Sequence, residues 1–416
     1  MHPRIIWYMH HYAGSPSLGM AFRPYYLSRE FEKQGYKSYI IGSSFHHLLH
    51  SKIQQNNPIN HQIVDDQDFI FLKTPSYFGN GIGRFINMFS YSWKIWRHHK
   101  KLIKITGIPS AIIVSSAHLF HYLPALRIAK KYNIKIIFEV RDLWPTSLIE
   151  LLNISSYNPI ILLLKWIEKT AYQNSDYVVS LLPNALSYMT LNGLKPERFV
   201  YISNGVAAEE LVNDKQALPE NIEHFIVDKR KQGIFLIGYT GAHGEPNALD
   251  DLLNALVLLK KENYLKVHFL LVGNGNQKEE LKQFTQKNDL VSLITFLDAL
   301  PKNQVLTFLE QMDAVYLGWK NKPFYCYGIS PNKMFDYMIA AKPILHAFGA
   351  AMDIVKQTES GLSVEAENYG QIAEGIKKMV DKPNNELQAM GMRGKEAVLT
   401  DFTYECLAKK YITLFQ

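Results

Sequence analysis

Residues 234–256 read IFLIGYTGAHGEPNALDDLLNAL, and this stretch decides the fold class of the chain. An apolar run rich in β-branched and aromatic residues leads into a loop with Gly241 and Gly244, and apolar residues at helical spacing follow. The pattern predicts a buried strand, a tight turn and a helix that starts near Asn247. Backbone amides at such a turn, with the partial positive charge of a helix N-terminus, form a cradle for a phosphate group.

A second segment of the same kind is LLVGNGNQKEEL at 270–281, with Gly273 and Gly275 at the turn. Many strand-to-helix turns need glycine only for their backbone geometry. The two glycine turns therefore favour a phosphate site only modestly.

Strand-like runs alternate with helix-length segments along the rest of the chain, which is typical of parallel α/β architecture. In the first half we predict strands at 4–9, 38–42, 69–73, 111–115, 135–140, 177–182 and 198–203. In the second half we predict strands at 234–240, 266–273, 293–297, 314–319, 342–348 and 361–366. Their continuous apolar character indicates strands buried on both faces. The tail, 383–416, is predicted to be helical.

Length and composition indicate two domains. The chain has 416 residues, 47% hydrophobic and 20% charged, which is enough for two packed cores. Asn204-Gly205 and the polar stretch up to residue 232 mark the boundary, so we predict domains at 1–204 and 205–400. A C-terminal helix at 401–416 is expected to pack back on the first domain.

Net charge and cysteine count exclude some classes of protein. A net charge of +7 is too small for a nucleic-acid binder, and two cysteines indicate a reducing compartment. No secretory leader or membrane-spanning segment is expected, because the first apolar run covers only residues 5–9.

The most informative motif is YGISPNKMFDYMIAAKPILHAFG at 327–349. A loop leads into a helix on which Lys333 and Asp336 are three residues apart and therefore share a face. Lys333 near the helix start can face an anion, and Asp336 can bond to a sugar diol. An ordinary surface Lys–Asp pair has the same spacing, and the residues alone favour that interpretation.

The segment SPNKMFDYMIAAKPIL (330–345) resembles the nucleotide-sugar signature of glycosyltransferase family 4, the retaining enzymes of the GT-B fold. Residues 19–48, FEVRDLWPTSL (138–148) and ISNGV (202–206) also resemble segments of a subgroup that builds bacterial surface polysaccharides. The matches run in order from residue 4 to about 400. The resemblance implies two Rossmann-like doubly wound domains with an interdomain cleft.

The chain departs from the family pattern at three places, the smallest being Ala341 in place of the usual Gly before Lys-Pro. Gly328 stands where the broader family has the first acid of its acid–x7–acid pattern, of which Asp336 is the second. Ala242, His243 and Asn247 stand in the loop region that carries Arg and Lys in the broader family. Lys333 is therefore expected to take more of the phosphate charge.

The resemblance implies roles for individual residues. His118, Lys333 and Asp336 are expected to be catalytic, with His118 contacting the transferred sugar; a hydrogen-bonded histidine at a strand end is the alternative. The donor is expected to contact Gly14, Gly19, Gly241, His243, Gly273, Tyr327, Gly328, Ser330, Asn332, Lys333 and Asp336. Glu139, Arg141 and Asp142 are expected on the acceptor side, although an internal salt-bridge cluster is equally compatible with them.

No cofactor or essential metal is expected, since the lysine and a helix N-terminus would stabilise the leaving diphosphate. Asp66-Gln67-Asp68 spells a DxD metal motif, but it precedes a strand and is interpreted as a solvated loop. His46, His47 and His50 have helical spacing, yet no acid or cysteine completes a zinc site.

The segment GIGRFINMFSYSWKIWRHHKKLIKI at 81–105 combines aromatic and basic residues. Such a pattern is typical of a helix that lies on an anionic bilayer. The predicted membrane contacts are Phe85, Phe89, Trp93, Trp96, Arg97, Lys100 and Lys101, with Met88 on the same side. An amphipathic helix that packs on the core is the alternative.

The resemblance implies transfer of a sugar from a nucleotide-diphosphate donor, expected to be UDP-hexose or UDP-N-acetylhexosamine. The expected acceptor is a polyprenyl-diphosphate-linked glycan of capsule or O-antigen, at the inner face of the cytoplasmic membrane. A GT-B epimerase or hydrolase of nucleotide sugars remains an alternative, as does a non-catalytic nucleotide-sugar-binding subunit.

Overall fold

The computed structural model describes residues 4–79, 81–152, 154–208, 213, 215–349 and 352–416. The chain divides into two units. Unit 1 comprises Met1–Asn204 together with Tyr404–Gln416, and unit 2 comprises Gly205–Thr403. Each unit is built around its own parallel sheet.

Unit 1 contains an eight-stranded sheet in the order β3-β4-β2-β1-β5-β6-β7-β8. Its strands are β1 (Arg4–Met9), β2 (Tyr36–Ser43), β3 (Ile59–Val64), β4 (Gln67–Leu72), β5 (Ala111–Ser115), β6 (Lys135–Val140), β7 (Tyr177–Ser180) and β8 (Phe199–Tyr201). Its helices are α1 (Arg23–Lys33), α2 (Ile82–Thr106), α3 (Tyr122–Tyr132), α4 (Thr146–Leu152), α5 (Pro159–Asn174) and α6 (Leu186–Leu191). All neighbouring strands are parallel except β3 and β4.

Unit 2 contains a six-stranded parallel sheet, which is continued here in chain order as β9 to β14 and has the order β11-β10-β9-β12-β13-β14. Its strands are β9 (Phe235–Thr240), β10 (Val267–Val272), β11 (Ile294–Leu297), β12 (Ala314–Gly318), β13 (Ile344–Ala347) and β14 (Gly361–Val364). Its helices are α7 (Glu220–Lys231), α8 (Leu249–Lys261), α9 (Lys278–Lys287), α10 (Lys302–Glu310), α11 (Asn332–Ile339), α12 (Ile354–Gln357), α13 (Tyr369–Val380) and α14 (Asn384–Ala397).

The sheet of unit 2 is buried on both faces. Leu236 and Leu270 belong to one hydrophobic cluster, whereas their chain neighbours Ile237 and Leu271 belong to another. Because successive side chains of a strand point to opposite faces, the two clusters lie on opposite sides of the sheet. This arrangement explains why the strands are continuously apolar.

The final helix, α15 (Tyr404–Phe415), belongs to unit 1 and contacts α1. Tyr404 stacks on Tyr26 with ring centroids 4.8 Å apart, and Phe415 meets Phe31 edge to face at 5.2 Å. A π-helical turn, Val398–Phe402, separates this helix from α14.

The predicted α/β fold with two parallel sheets is confirmed, and each predicted strand is present. The structure adds β3, an edge strand that the sequence pattern did not indicate, because three consecutive polar residues (60–62) interrupt its apolar ones. The interpretation of Asp66-Gln67-Asp68 as a solvated loop is confirmed for Asp66, which lies in an exposed turn, but was wrong for the other two residues. Gln67 and Asp68 belong to β4, and the Asp68 carboxylate pairs with Lys37 at 2.5 Å.

Each sheet has a point where the strand order reverses direction, and ligands of open α/β sheets bind beyond the carboxyl ends of the strands at such points. In unit 1 the reversal lies between β1 and β5, and in unit 2 between β9 and β12. The loops that follow these four strands therefore define the two regions to search for a site.

Candidate functional site

In unit 2, the loops after β9 and β10 pack directly against each other. The amide of His243 donates to the carbonyl of Asn274 at 3.0 Å, and the amide of Gln277 donates to the carbonyl of His243 at 3.0 Å. A Cβ atom at Gly273 would lie 1.9 Å from the carbonyl oxygen of Gly241, and one at Gly275 would lie 2.2 Å from that of His243. Only glycine allows the two loops to approach so closely, so both Gly273 and Gly275 are needed for this packing.

Lys333, in the first turn of α11, points its ammonium group at the first of these loops. The Nζ atom lies 3.2 Å from the Tyr239 hydroxyl and donates to Asn247 Oδ1. It also lies over the rings of Tyr239 and Trp319, 4.7 Å and 5.4 Å from their centroids. In the described part of the chain no carboxylate forms an ion pair with Lys333. The alternative of a surface Lys333–Asp336 pair is therefore wrong.

Burial lowers the pKa of Lys333 to about 7. Desolvation disfavours the ammonium form, and no neighbouring anion compensates for it. A bound phosphate would supply that missing negative charge.

The helix ends around Lys333 differ in charge. The first turn of α8 carries Asp250 and Asp251, which pair with Lys320 at 2.7 Å and 2.8 Å. The first turn of α11 carries Lys333 and no acid. Contrary to the expectation for the helix after Gly244, the first turn of α8 carries two acids that would repel an anion, so α11 is the better helix end for one.

Asp336 lies one turn further along α11 and is partly buried. Burial raises the pKa of its carboxyl group to about 6, and the charge of Lys302 lowers it to a lesser extent. The structure gives this carboxylate no hydrogen-bond donor among the described residues. It is therefore an acceptor group that a hydroxyl-bearing ligand can satisfy.

His243 is fully buried, and neither ring nitrogen has a hydrogen-bond partner within the described residues. Burial and the charges of Lys278 and Lys333 lower its pKa to about 4, so the ring is neutral at pH 7. Lys278 is buried nearby and lies within 3.0 Å of four oxygens, those of Gly273, Asn274, Leu297 and Asp298. This lysine fixes the second glycine loop.

The other predicted donor contacts of unit 2 lie on the segment that enters α11. Tyr327 ends a short 3₁₀ turn, Pro323–Tyr327, and Gly328 has φ +96° directly after it. Ser330 is partly buried, and Asn332 is the exposed first residue of α11. Their contacts with a donor stay predictions.

At the strand reversal of unit 1 lies a cavity of about 280 Å³. It is lined by His10, Tyr12, Ala21, His47, Leu48, Arg84, Ser116, Ala117, Arg141, Asp142 and Trp144. Arg141 donates to Nε2 of the buried His10 at 3.1 Å, and Arg84 donates to the Tyr12 hydroxyl at 3.0 Å. Two guanidinium groups thus face one cavity, with Asp142 as the acid in its lining.

Glu139 does not lie with Arg141 and Asp142, which corrects the expectation that it faces an acceptor. Its carboxylate is fully buried and accepts from Arg23 at 2.8 Å, Ser115 at 2.5 Å, Tyr8 at 2.9 Å and Tyr411. Burial opposes its ionisation, but the charges of Arg23 and Arg141 outweigh it and lower the pKa to about 2. The internal salt-bridge alternative describes this residue.

His118 is also fully buried and is absent from the lining of this cavity. It packs among aromatic rings, 4.8 Å from His11 and 4.6 Å from His121, and its Nε2 has no hydrogen-bond partner within the described part. Burial lowers its pKa well below the usual value. In this structure His118 is therefore part of the packed interior of unit 1, and its contact with a sugar stays a prediction.

The Gly14–Gly19 loop is anchored to the segment after β2. The amide of Met20 donates to the carbonyl of Leu48 at 3.1 Å, and the amide of His50 donates to that of Leu18 at 2.8 Å. Donor contacts of Gly14 and Gly19 stay predictions.

The predicted membrane residues lie on α2. Phe89, Trp93, Trp96, Arg97, Lys100 and Lys101 are exposed, and Phe85 is partly buried. Met88 was wrongly placed on this side, because it is buried with Tyr91, Ile95 and Leu102 on the core face. The helix therefore has a core face and a separate apolar outer face.

The residues that the structure describes contain neither a metal-binding cluster nor a membrane-spanning helix. No group of three or more His, Cys, Asp and Glu side chains suited to a metal ion was found there. None of the helices described combines the length and apolarity needed to span a bilayer.

The fold is that of GT-B glycosyltransferases. The sucrose-phosphate synthase of Thermosynechococcus elongatus matches at TM-score 0.70 and 14% identity, covering 99% of this chain and 98% of its own. HepE of Anabaena in complex with UDP and glucose matches at TM-score 0.65 and 12% identity, covering 99% of both chains. WaaG, a glycosyltransferase involved in lipopolysaccharide biosynthesis, matches at TM-score 0.64 and 11% identity, also over 99% of both chains.

Two family models match the sequence. The model of Glycosyltransferase Family 4 matches residues 19–210, and that of Glycosyl transferases group 1 matches residues 234–382. The chain belongs to these glycosyltransferases, as its motifs predicted. No curated protein matches it by sequence.

Sequence reasoning missed several residues of the two regions. Tyr239 and Trp319 lie against Lys333. Tyr239 is the second-last residue of β9 and Trp319 directly follows β12, positions near the ligand edge of a parallel sheet. From the sequence, Arg84 was treated only as part of the aromatic and basic segment 81–105, whereas in the structure it lines the cavity.

Proposed function

We propose that this chain is a retaining glycosyltransferase that moves a hexose or N-acetylhexosamine from a UDP-linked donor to a polyprenyl-diphosphate-linked glycan. We place it in capsule or O-antigen synthesis, at the inner face of the cytoplasmic membrane. The observation that carries the proposal is Lys333, a partly buried cation without a carboxylate partner among the described residues, set at the N-terminus of α11 beside the glycine loops.

The proposed donor site follows from the charges of unit 2. The diphosphate lies against the Gly241 and Gly273 loops, where Lys333 and the amides of α11 neutralise it. The ribose hydroxyls donate to Asp336, which the described residues leave without a donor. HepE, a neighbour in fold, was solved with UDP and glucose, which supports the choice of UDP.

In the proposed reaction the main task of the protein is to stabilise the negative charge of the leaving diphosphate. As the bond between the anomeric carbon and the diphosphate oxygen breaks, negative charge grows on the leaving group, and Lys333 stabilises it. The acceptor oxygen attacks on the same face of the sugar and passes its proton to the departing diphosphate. The anomeric configuration is therefore retained, and the proposal requires no metal ion.

The proposed acceptor site is the cavity of unit 1. Its two guanidinium groups, Arg84 and Arg141, fit an acceptor that carries phosphate. The exposed aromatic and basic face of α2 fits a peripheral site on an anionic membrane, where a lipid-linked acceptor resides.

A thermal-shift screen of nucleoside diphosphates and nucleotide sugars tests the donor, because a ligand that binds only the folded state raises its melting temperature. We expect UDP and UDP-sugars to raise it, and Lys333→Met to remove the shift. The proposed donor would be excluded if only another nucleotide raised it.

Product analysis by NMR, with and without polyprenyl-diphosphate-linked acceptors and with EDTA, tests the reaction. We expect an α-linked product from an α-linked donor, formed in EDTA as well. Arg141→Met should raise the acceptor KM and leave UDP binding unchanged. Donor hydrolysis or epimerisation without transfer would contradict the proposal.

A further inference from the structure

The proposed membrane contact of α2 does not account for a second exposed apolar face in unit 1, that of α5. The helix begins PIILLLKWI, and its first six residues are all apolar. Ile161, Leu164 and Ile167 are buried, whereas Leu162, Leu163 and Trp166 are 50%, 40% and 55% exposed. A helix that is apolar all round normally has both sides covered, and here the outer side faces solvent.

Helix α3 lies between α2 and α5, because it contacts both of them. The Arg127 guanidinium of α3 lies over the ring of Trp96 on α2, 5.8 Å from its centroid. Lys130 of α3 donates to Asn174 Oδ1 at the end of α5 at 2.9 Å. The three helices thus form one layer on one face of the sheet.

The charge of this layer differs from that of the rest of the chain. Helices α2, α3 and α5 hold six, three and two Lys and Arg, which is 11 of the 45, but only one of the 38 acids. The remaining residues therefore have 34 basic against 37 acidic side chains. The acid is Glu168, which is buried, with its pKa raised by burial to about 8. Nine of the basic side chains are exposed.

We propose that α2, α3 and α5 form one lipid-facing surface, and that α5 inserts Leu162, Leu163 and Trp166 into an anionic bilayer. Exposed apolar side chains on the two outer helices enter the interface, and the cations of all three contact lipid phosphates. Lys165 and Lys169 of α5 extend past the apolar residues toward the headgroups. A basic, nearly acid-free surface repels a second copy of itself, so a bilayer is the occupant that the charges favour.

Vesicle cosedimentation tests the proposal with two kinds of variant. Leu162→Ser/Trp166→Ser should reduce binding to phosphatidylcholine–phosphatidylglycerol vesicles by about tenfold, since both apolar side chains leave the interface. The matched control is Ile63→Ser, which removes a 71% exposed apolar residue from β3 and should bind as the wild type does. Melting temperatures of both variants should equal that of the wild type.

Quenching by brominated lipid tests insertion directly. Trp166→Phe should remove part of the tryptophan fluorescence that bromine quenches in the wild type. Wild-type vesicle binding by the α5 double variant, or unchanged quenching in Trp166→Phe, would overturn the proposal.

Trp93→Ser/Trp96→Ser separates this proposal from the one for α2. If only the α2 variant lost vesicle binding, α2 would be the membrane contact and the proposed insertion of α5 would be excluded. Self-association without lipid, measured by sedimentation velocity and lost in the α5 variant, would also overturn the proposal, because it would make a second copy the occupant.

Discussion

The two sheets of this glycosyltransferase reverse their strand order in the same way, but the charged groups near the two reversals are treated differently. In unit 1 the buried carboxylate of Glu139 forms an ion pair with Arg23 and accepts hydrogen bonds from three hydroxyl groups of the same unit. In unit 2 the partly buried ammonium group of Lys333 has only neutral partners among the described residues. The fold provides a counter-charge for the first group, whereas the second has none among the described residues.

The difference teaches how to distinguish a structural charge from a functional one. A structural charge has its counter-charge within the protein, and its pKa favours the ionised form, as the pKa of about 2 for Glu139 shows. A desolvated charge without a counter-charge has a pKa shifted toward the neutral form, as the pKa of about 7 for Lys333 shows, and such a group is a candidate for binding a charged ligand.

The largest expected effect is a loss of stability when the structural charge, Glu139, is removed. Glu139→Ala should lower the free energy of unfolding by about 3–5 kcal/mol, because it leaves the buried Arg23 charge without its counter-ion. The measurement is urea unfolding at pH 7. The folded pKa of about 2 is below the usual value near 4.5, so the contribution is present above pH 4.5 and is lost as the pH falls toward 2. A variant as stable as the wild type at pH 7 would contradict the structural role.

A pair of lysine variants sharpens the comparison within unit 2. Lys278→Met should lower the free energy of unfolding by about 2–3 kcal/mol, because it strands buried oxygens that now accept hydrogen bonds. Lys333→Met should change it by less than about 1 kcal/mol, since the lysine is desolvated without an ion-pair partner. Equal losses in the two variants, measured by the same urea titration, would show that Lys333 is structural as well.

A smaller effect is the uptake of a proton on UDP binding at pH 8. Free Lys333, with a pKa of about 7, is mostly neutral at this pH, and a bound diphosphate raises its pKa and protonates it. Calorimetry in buffers of different ionisation enthalpy measures the uptake, which Lys333→Met should abolish. The affinity of the wild type for UDP should therefore fall as the pH rises above 7. An affinity that is constant from pH 7 to 9 would be inconsistent with this linkage.

Much of this arrangement could be predicted from the sequence. Apolar strand runs and glycine turns predicted both sheets, because strands buried on both faces have a continuous apolar pattern. The spacing of Lys333 and Asp336 placed both on one helix face. The sequence did not show that Lys333 contacts Tyr239 and Asn247, since those contacts join residues about 90 positions apart.

The errors in the site have one physical cause. Glu139, Arg141 and Asp142 are nearly consecutive, but Glu139 still belongs to β6 and points into the core, whereas the other two follow the strand and line the cavity. Because side chains alternate between faces along a strand and diverge after it, sequence proximity at a strand end does not predict a shared site. The edge strand β3 was not predicted for a different reason, which is that three consecutive polar residues (60–62) leave it without the continuous apolar pattern of the other strands.

The central claim is that Lys333 recognises the second phosphate of a nucleoside diphosphate. The direct test is titration calorimetry of UDP and UMP with the wild type and with Lys333→Met at pH 7. We predict that the wild type prefers UDP by about 100-fold, as expected for a charge-assisted contact of about 2–3 kcal/mol, and that Lys333→Met loses most of this preference. An undiminished preference for UDP in Lys333→Met would contradict the account.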